Sequence, residues 1–445
     1  RPRALFCRNR SEKQEPPTGG FRASGRQERL KMSKRKPGRR VVVTGLGVVT
    51  PIGQNVPDFW ASIKAGQSGV SPLEGFPIDD LKILIAAQIK GFDPKARLKH
   101  FKRDRIITLA DRYSWFAAAA ADEAVKMSGL EMPLTDPYRS ACIIGSGAGG
   151  LTTFETAYRD LFIHNKRATH PLTLLRIIGS SAAAHVGIEF GVKGPTFATC
   201  SACSTATHAI GIGRDYIRDS LVDVAIVGAS ESVINYGTMK AWQALHVLSP
   251  EGCFPFAKKR NGTVLADGAG VLVLESLEHA QARGATILAE LCGYGMASDS
   301  QDMVKPTVEG PSEAMKEAIE DAGISPEQID YLNAHGTATA DNDINETKAI
   351  KNVFNDHAYK LAISSTKSMH GHPLGAGGGI EAVATIMAMQ EGWVPPTIGL
   401  DEPGDGCDLD YVPNVGREKK LGYTMSNSLA FGGLNTSLVF GPAPK

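Results

Sequence analysis

From residue 41 onward the chain alternates short apolar runs with glycine-rich turns and longer amphipathic stretches. Residues 41–43 are three consecutive valines. Residues 224–227 and 271–274 carry Val, Ile, Leu or Ala at each position, the pattern of strands covered on both faces. Residues 140–145 read as a further strand, running into Ser146-Gly147-Ala148-Gly149-Gly150. Residues 104–127 predict a helix around the alanine run 117–121. After about residue 285 the pattern restarts. Residues 287–291, 329–333, 361–364 and 437–440 predict strands. Residues 312–322 predict a helix with Met315, Ala318, Ile319 and Ala322 on one stripe, closed by Gly323. Strands alternating with helices mean an α/β fold. Two successive sets predict two similar halves, 41–285 and 286–441. Behind the first strand, Gly45, Gly47 and the Thr50-Pro51-Ile52-Gly53 segment predict a glycine-rich turn. Its proline disfavours the helix start that a dinucleotide site requires.

Charge changes the picture at one end. Residues 1–40 hold 14 Lys/Arg against 3 Asp/Glu, or +11, and the other 405 residues hold 34 against 44, or −10. The head lacks apolar periodicity and is expected to be disordered. Met32 resembles a natural start, which would make 1–31 foreign to the protein. An Arg-rich, acid-poor transit peptide leading to an organelle matrix is the alternative. The acidic body argues against nucleic acid as the main partner. No run of 18 apolar residues predicts a membrane span. Seven scattered cysteines, an odd number, suggest a reducing compartment such as the cytoplasm rather than a disulfide framework. The basic run of Lys90, Lys95, Arg97, Lys99, Lys102, Arg103 and Arg105 is either a solvated face or a dock for an acidic protein.

Chemistry concentrates in three loops. In 195–213 a β-prone approach ends in small residues and Cys203 before a helical run. A thiol at a helix N-terminus is expected to have a lowered pKa and to be nucleophilic. Cys200, three residues earlier, leaves a redox or metal C-x-x-C reading open. His335 follows a predicted strand, with Gly336, Thr337 and Thr339 behind it. Lys367, His370 and His372 share one loop, where a His-Gly-His metal pair is the alternative reading. Phe431-Gly432-Gly433 offers backbone N–H groups and a movable aromatic ring.

These motifs, in this order, resemble those of elongating β-ketoacyl-acyl carrier protein synthases, thiolase-like condensing enzymes. The resemblance rests on T-G-x-G-x-x-x-P-x-G at 44–53, A-C-S at 202–204, H-G-T-x-T at 335–339, T-x-x-x-D-x-x-E at 339–346, T-K-S-x-x-G-H at 366–372 and F-G-G-x-N at 431–435. It implies two βαβαβαββ-type halves in a five-layered α-β-α-β-α core. It further implies decarboxylative Claisen condensation of a malonyl unit with a cysteine-bound acyl chain, as a homodimer served by acyl carrier protein. Specialised very long-chain, signal-lipid or polyketide synthesis is the runner-up, and a non-catalytic chain-length partner subunit is a weaker one. By the same resemblance, Cys203 would accept the acyl chain, His335 and His372 would hold the malonyl carbonyl, and Lys367, supported by Glu346, would tune His335. Asp343 would stand behind them, and Thr337 and Thr339 would contact the phosphopantetheine arm. Phe431 would gate the cysteine, and its N–H and that of Cys203 would form the oxyanion hole. The chemistry needs neither metal nor organic cofactor, since two imidazole donors can stabilise the enolate. Ala257, His370, Pro373, Ala430 and Leu434 depart from the family pattern. Ala148 stands where a bulkier residue is frequent, at the acyl-pocket floor, which suggests room for longer chains.

Overall fold

The computed structural model describes residues 38–99, 101 and 105–444, the side chain of Arg105 excepted. The expected disorder of the head lies outside the described residues, apart from its last three positions. There the structure corrects the expectation: Arg39 pairs with Asp223 (2.6 Å) and Arg40 with Glu290 (2.5 Å), so ordered chain begins before the first strand.

Five strands form the first half: β1 (Val41–Val49), β2 (Ser140–Gly145), β3 (Thr196–Phe197), β4 (Val224–Glu231) and β5 (Gly268–Ser276). They lie in the order β3-β2-β4-β5-β1. Five more form the second: β6 (Ala289–Ser298), β7 (Ile329–Asn333), β8 (Ala362–Ser364), β9 (Tyr423–Ala430) and β10 (Leu434–Gly441), in the order β8-β7-β9-β10-β6. Within each half the third, second and fourth strands pair in parallel, and the fifth and first pair antiparallel. The two halves therefore repeat one topology. Their sheets join edge to edge where Val42 and Val43 of β1 face Glu290 and Ala289 of β6.

Six helices build the layers: α1 (Arg112–Ser128), α2 (Ser181–Phe190), α3 (Thr205–Arg218), α4 (Glu309–Ala322), α5 (Ala340–Phe354) and α6 (Gly377–Glu391). Helices α3 and α6 lie between the sheets, in the apolar cluster that holds Ala209, Ile210, Ile380 and Val383 together with Val43, Val227, Tyr331 and Leu438. Helix α6 is apolar nearly all round, as a helix buried on every side must be. Helices α1 and α2 cover the outer face of the first sheet, and α4 and α5 that of the second, each over its own core. The result is the expected α-β-α-β-α stack.

Two local expectations are corrected. The predicted turn comes later than Gly45 and Gly47: β1 continues through both to Val49, and the chain turns at Thr50–Gly53, whose ends pair backbone to backbone. Those glycines serve packing: a Cβ at Gly45 or Gly47 would overlap the carbonyl oxygens of Ala124 or Ala120, so α1 lies directly on the strand. The predicted helix 104–127 is broken. A short helix, Arg105–Leu109, ends before Asp111, which caps α1 and accepts hydrogen bonds from the N–H (2.8 Å) and hydroxyl (2.5 Å) of Thr153. Asp104, with Lys102 and Arg103 of the basic run, lies outside the described residues.

Candidate active site

The site lies where the sheet ends of both halves meet. Cys203 sits in a one-turn 3₁₀ segment, Ala202–Ser204, that leads straight into α3. Ala202 has φ +46°, a left-handed conformation costing a non-glycine residue on the order of 1 kcal/mol, and its small Cβ keeps the turn tolerable. The turn aims Cys203 inward. Its Sγ lies 3.1 Å from Nε2 of His372, and the His372 and His335 rings meet edge to face with centroids 5.4 Å apart.

Each half contributes its own chemistry. Cys203 comes from the loop after β3. His335 follows β7 and Lys367 follows β8, with His372 five residues later. Lys367 Nζ lies 3.3 Å from His335 Nδ1 and forms an ion pair with Glu381 of α6; all three side chains are buried. An ammonium can only donate, so Nδ1 accepts and the His335 proton resides on Nε2, a donor available to a substrate. Glu346 of α5 accepts the backbone N–H groups of His335 and Gly336 at 2.8 Å each. It therefore positions the histidine loop, while Glu381, which the sequence reading did not single out, is the partner of Lys367. The signal was present: Glu381 is the one charged residue in 380–389, a run that is apolar apart from it and Thr385. Asp343 stands one step further back, where its carboxylate accepts the N–H of Phe256 (2.7 Å).

Burial reverses one expectation. The helix N-terminus was expected to lower the pKa of Cys203; instead desolvation pushes the thiol up to about 12 against the opposing pull of Lys367. Burial, with Lys367 adding to it, holds His335 and His372 well below the ordinary histidine value, so both imidazoles are neutral near pH 7. A neutral thiol beside a neutral imidazole is a proton-transfer pair rather than a preformed thiolate.

Donor atoms of Cys203, His335 and His372 lie within 4.8 Å of one another, close enough for three ligands of one metal ion. A metal would require Cys203 as thiolate, and the same burial disfavours that form. The other readings of these loops separate in space. His370 turns its Nε2 to Thr366 Oγ1 (3.0 Å), and Cys200 is exposed while Cys203 is buried.

A cavity of about 340 Å³ reaches Cys203, His335 and His372, and Thr337, Thr339 and Phe431 line it. The two threonine hydroxyls are 3.0 Å apart. Phe431 stacks on Trp242, with centroids 5.8 Å apart and planes 24° off parallel. Ala148 packs in the apolar cluster that also holds Cys203, Leu151, Val233 and Met239. In the basic run, Lys90 pairs with Glu74 (2.6 Å), Arg97 donates to the Gln54 carbonyl (2.6 Å), and Lys95 and Lys99 are exposed.

Two halves of one topology, closed over a buried Cys-His-His-Lys set, define a thiolase-like ketosynthase. The chain belongs to the β-ketoacyl synthase family, an acyl-transferring group of condensing enzymes: the family's N-terminal domain matches residues 38–280 and its C-terminal domain residues 288–401. Nodulation protein E of Rhizobium leguminosarum bv. trifolii is 43% identical over 402 residues, 90% of this chain and 99% of its own length. The 3-oxoacyl-[acyl-carrier-protein] synthase 2 of Coxiella burnetii is 42% identical over 409 residues, 90% of this chain and 98% of its own length. Among solved structures, the ishigamide ketosynthase/chain length factor superposes with a TM-score of 0.87 at 32% identity, covering 92% of this chain and 100% of that one. A type II PKS ketosynthase bound to its acyl-carrier protein and a hexaketide gives 0.83 at 33% identity, covering 91% and 100%.

Proposed function

We propose that this chain condenses malonyl-acyl carrier protein with an acyl chain carried on Cys203, giving 3-oxoacyl-acyl carrier protein in fatty acid biosynthesis. The observation that carries the reading is the convergence of Cys203, His372, His335 and Lys367 at the end of one cavity. In the first half-reaction His372 takes the Sγ proton as sulfur attacks the incoming thioester, and returns it to the departing carrier-arm thiolate. The N–H groups of Cys203 and Phe431 receive the oxyanion. In the second, the carbon–carboxylate bond of the malonyl unit breaks, carbon dioxide leaves, and the electron pair forms an enolate held by the Nε2–H of His335 and by His372 in its Nε2–H tautomer. The enolate carbon attacks the acyl carbonyl, and Cys203 departs as a thiolate that takes a proton from water. Lys367 keeps His335 in the donor tautomer, and Glu346 and Asp343 hold the surrounding backbone. Thr337 and Thr339 line the path of the phosphopantetheine arm, and no further cofactor is needed.

Partners follow the same reading. An acidic carrier protein docks on the basic segment that exposes Lys95 and Lys99. The chain works as a homodimer in the cytoplasm. Support for a second copy is the exposed apolar set Phe154, Tyr158, Phe162, Leu174 and Leu175. The similarity to nodulation protein E favours a second reading, a specialised ketosynthase for unusual acyl chains, and Ala148 is the residue that would provide the room. Loading purified enzyme with carrier-protein thioesters of graded length separates the two. Preference for chains of ordinary membrane-lipid length supports fatty acid synthesis, and loading confined to very long or polyunsaturated chains supports the specialised role.

A further inference from the structure

One buried acid beside the thiol has no part in the chemistry above. Glu231 ends β4, is fully buried, and makes no ion pair with any described lysine, arginine or histidine. Its carboxyl accepts the Gly147 N–H and the Ser146 hydroxyl (3.2 Å) from the loop after β2, and its field reaches the Cys203 sulfur. On its other side lies Gly375, three residues after His372. A Cβ at Gly375 would stand 2.6 Å from Glu231 Oε1 and 2.8 Å from the Gly147 nitrogen. A Cβ at Gly147 would stand 3.0 Å from the same Oε1 and 3.6 Å from the Ala202 carbonyl oxygen. The 146–148 loop, the nucleophile turn and the 374–376 turn therefore meet around one carboxyl group, at a packing so close that two of the three supply glycine. A buried acid without a cation is costly, and its hydrogen bonds offset that cost only while these loops hold their places.

We propose that Glu231 is a positioning residue of the acylation half-reaction: by tying the 146–148 loop to the Gly375 turn it sets the wall along which a long acyl chain on Cys203 lies. The proposal rests on Cys203 being the acylated residue. It adds a determinant of chain length that acts through backbone, beside the side chain of Ala148. Burial pushes Glu231 up to about 8, so at pH 9 it is a carboxylate. There, Glu231→Gln turns one accepting oxygen into an NH₂ group, which cannot accept from both Gly147 and Ser146, so one tie is lost while the volume is kept.

The test follows Cys203 acylation at pH 9 by mass spectrometry with two-carbon and long-chain acyl thioesters, in wild type, Glu231→Gln and Glu231→Asp. Single-turnover condensation is then measured on enzyme already loaded. The expected result for Glu231→Gln is about tenfold slower long-chain loading, two-carbon loading within about threefold, and condensation of the preloaded enzyme within about twofold of wild type. Glu231→Asp, which keeps both acceptor oxygens, recovers part of the loss. Equal losses in both half-reactions, equal losses at both chain lengths, or no loss at all would overturn the role of Glu231. If wild type itself takes no acyl group on Cys203, the reading beneath the proposal fails instead.

Discussion

The reactive sulfur is held as a thiol, and that single fact shapes what can be measured on it. With Cys203 pushed up to about 12 by burial, its alkylation by iodoacetamide is expected to accelerate continuously from pH 7 to pH 10, without the plateau near neutrality of a preformed thiolate. A plateau below pH 8 would show that the helix terminus and Lys367 outweigh burial after all. Replacing His372 with alanine removes the proton acceptor 3.1 Å from Sγ and should slow Cys203 loading about 10²-fold or more. Lys367→Ala leaves Glu381 buried without its partner. It should lower condensation of preloaded enzyme far more than loading, because it acts through His335. Ala148→Ile, in the cluster around the thiol, should shift loading toward shorter chains, read from the same mass spectra. At this scale the identities of Cys203, His335, Lys367 and His372 were legible because each motif keeps its residues within one loop. The pairings were not. Glu346, expected to support Lys367, does so through its charge while its oxygens bind the His335 and Gly336 backbone, and the direct partner of Lys367 is Glu381, from a helix that only the fold brings near.

Elements were legible where they obey one period and obscure where packing overrides a local signal. The segments 140–145 and 329–333 became strands at those limits, because each is a short, largely buried run that pairs with parallel neighbours on both sides. Gly45 and Gly47 looked like a turn and are strand, since what they satisfy is the approach of the alanine-rich face of α1. That account predicts that Gly47→Ala, harmless to a turn, costs about 3 kcal/mol of stability in denaturant unfolding, because the added methyl meets the Ala120 carbonyl inside a close-packed layer. A loss below about 0.5 kcal/mol would contradict it.

Across the whole molecule, the repeat of halves was readable from two successive strand sets, but the interlock between them was not. Arg214 and Arg218 of α3 meet Asp321 of α4 at 2.7 and 2.6 Å, and Arg214 also donates to the carbonyls of Leu291 and Cys292 in β6. Asp321→Asn should cost about 3 kcal/mol, because it removes the buried carboxylate that two guanidinium groups share at the seam between the halves. Buried acids set the pH response. Burial pushes Glu231 up to about 8, Asp343 to about 7 and Asp267 to about 6. Between roughly pH 4.5 and 8 the unfolded chain therefore binds fewer protons at these sites than the folded one, and their contribution to stability falls as pH rises. Glu275 acts oppositely. The bonds it accepts from Arg283, His279 and Thr44 outweigh its burial and hold it near 2, so its contribution is present above pH 4.5 and is lost as pH falls through 2. The buried His335, His370 and His372 oppose the acids, because the unfolded chain protonates them near pH 6 and their contribution rises with pH. The acid contribution is therefore read by difference: Glu231→Gln is expected to raise the thermal midpoint at pH 8 relative to that at pH 6, compared with wild type.

The central claim, that a protonated cysteine braced by two neutral histidines receives the acyl chain, is tested most directly by intact-protein mass spectrometry. Wild type and Cys203→Ala are each mixed with acyl-carrier-protein thioesters of graded length. The account predicts a mass increase of one acyl group on wild type, localised to the peptide bearing Cys203, and no adduct on Cys203→Ala. An adduct of equal yield on Cys203→Ala, or none on wild type at any chain length, would contradict it.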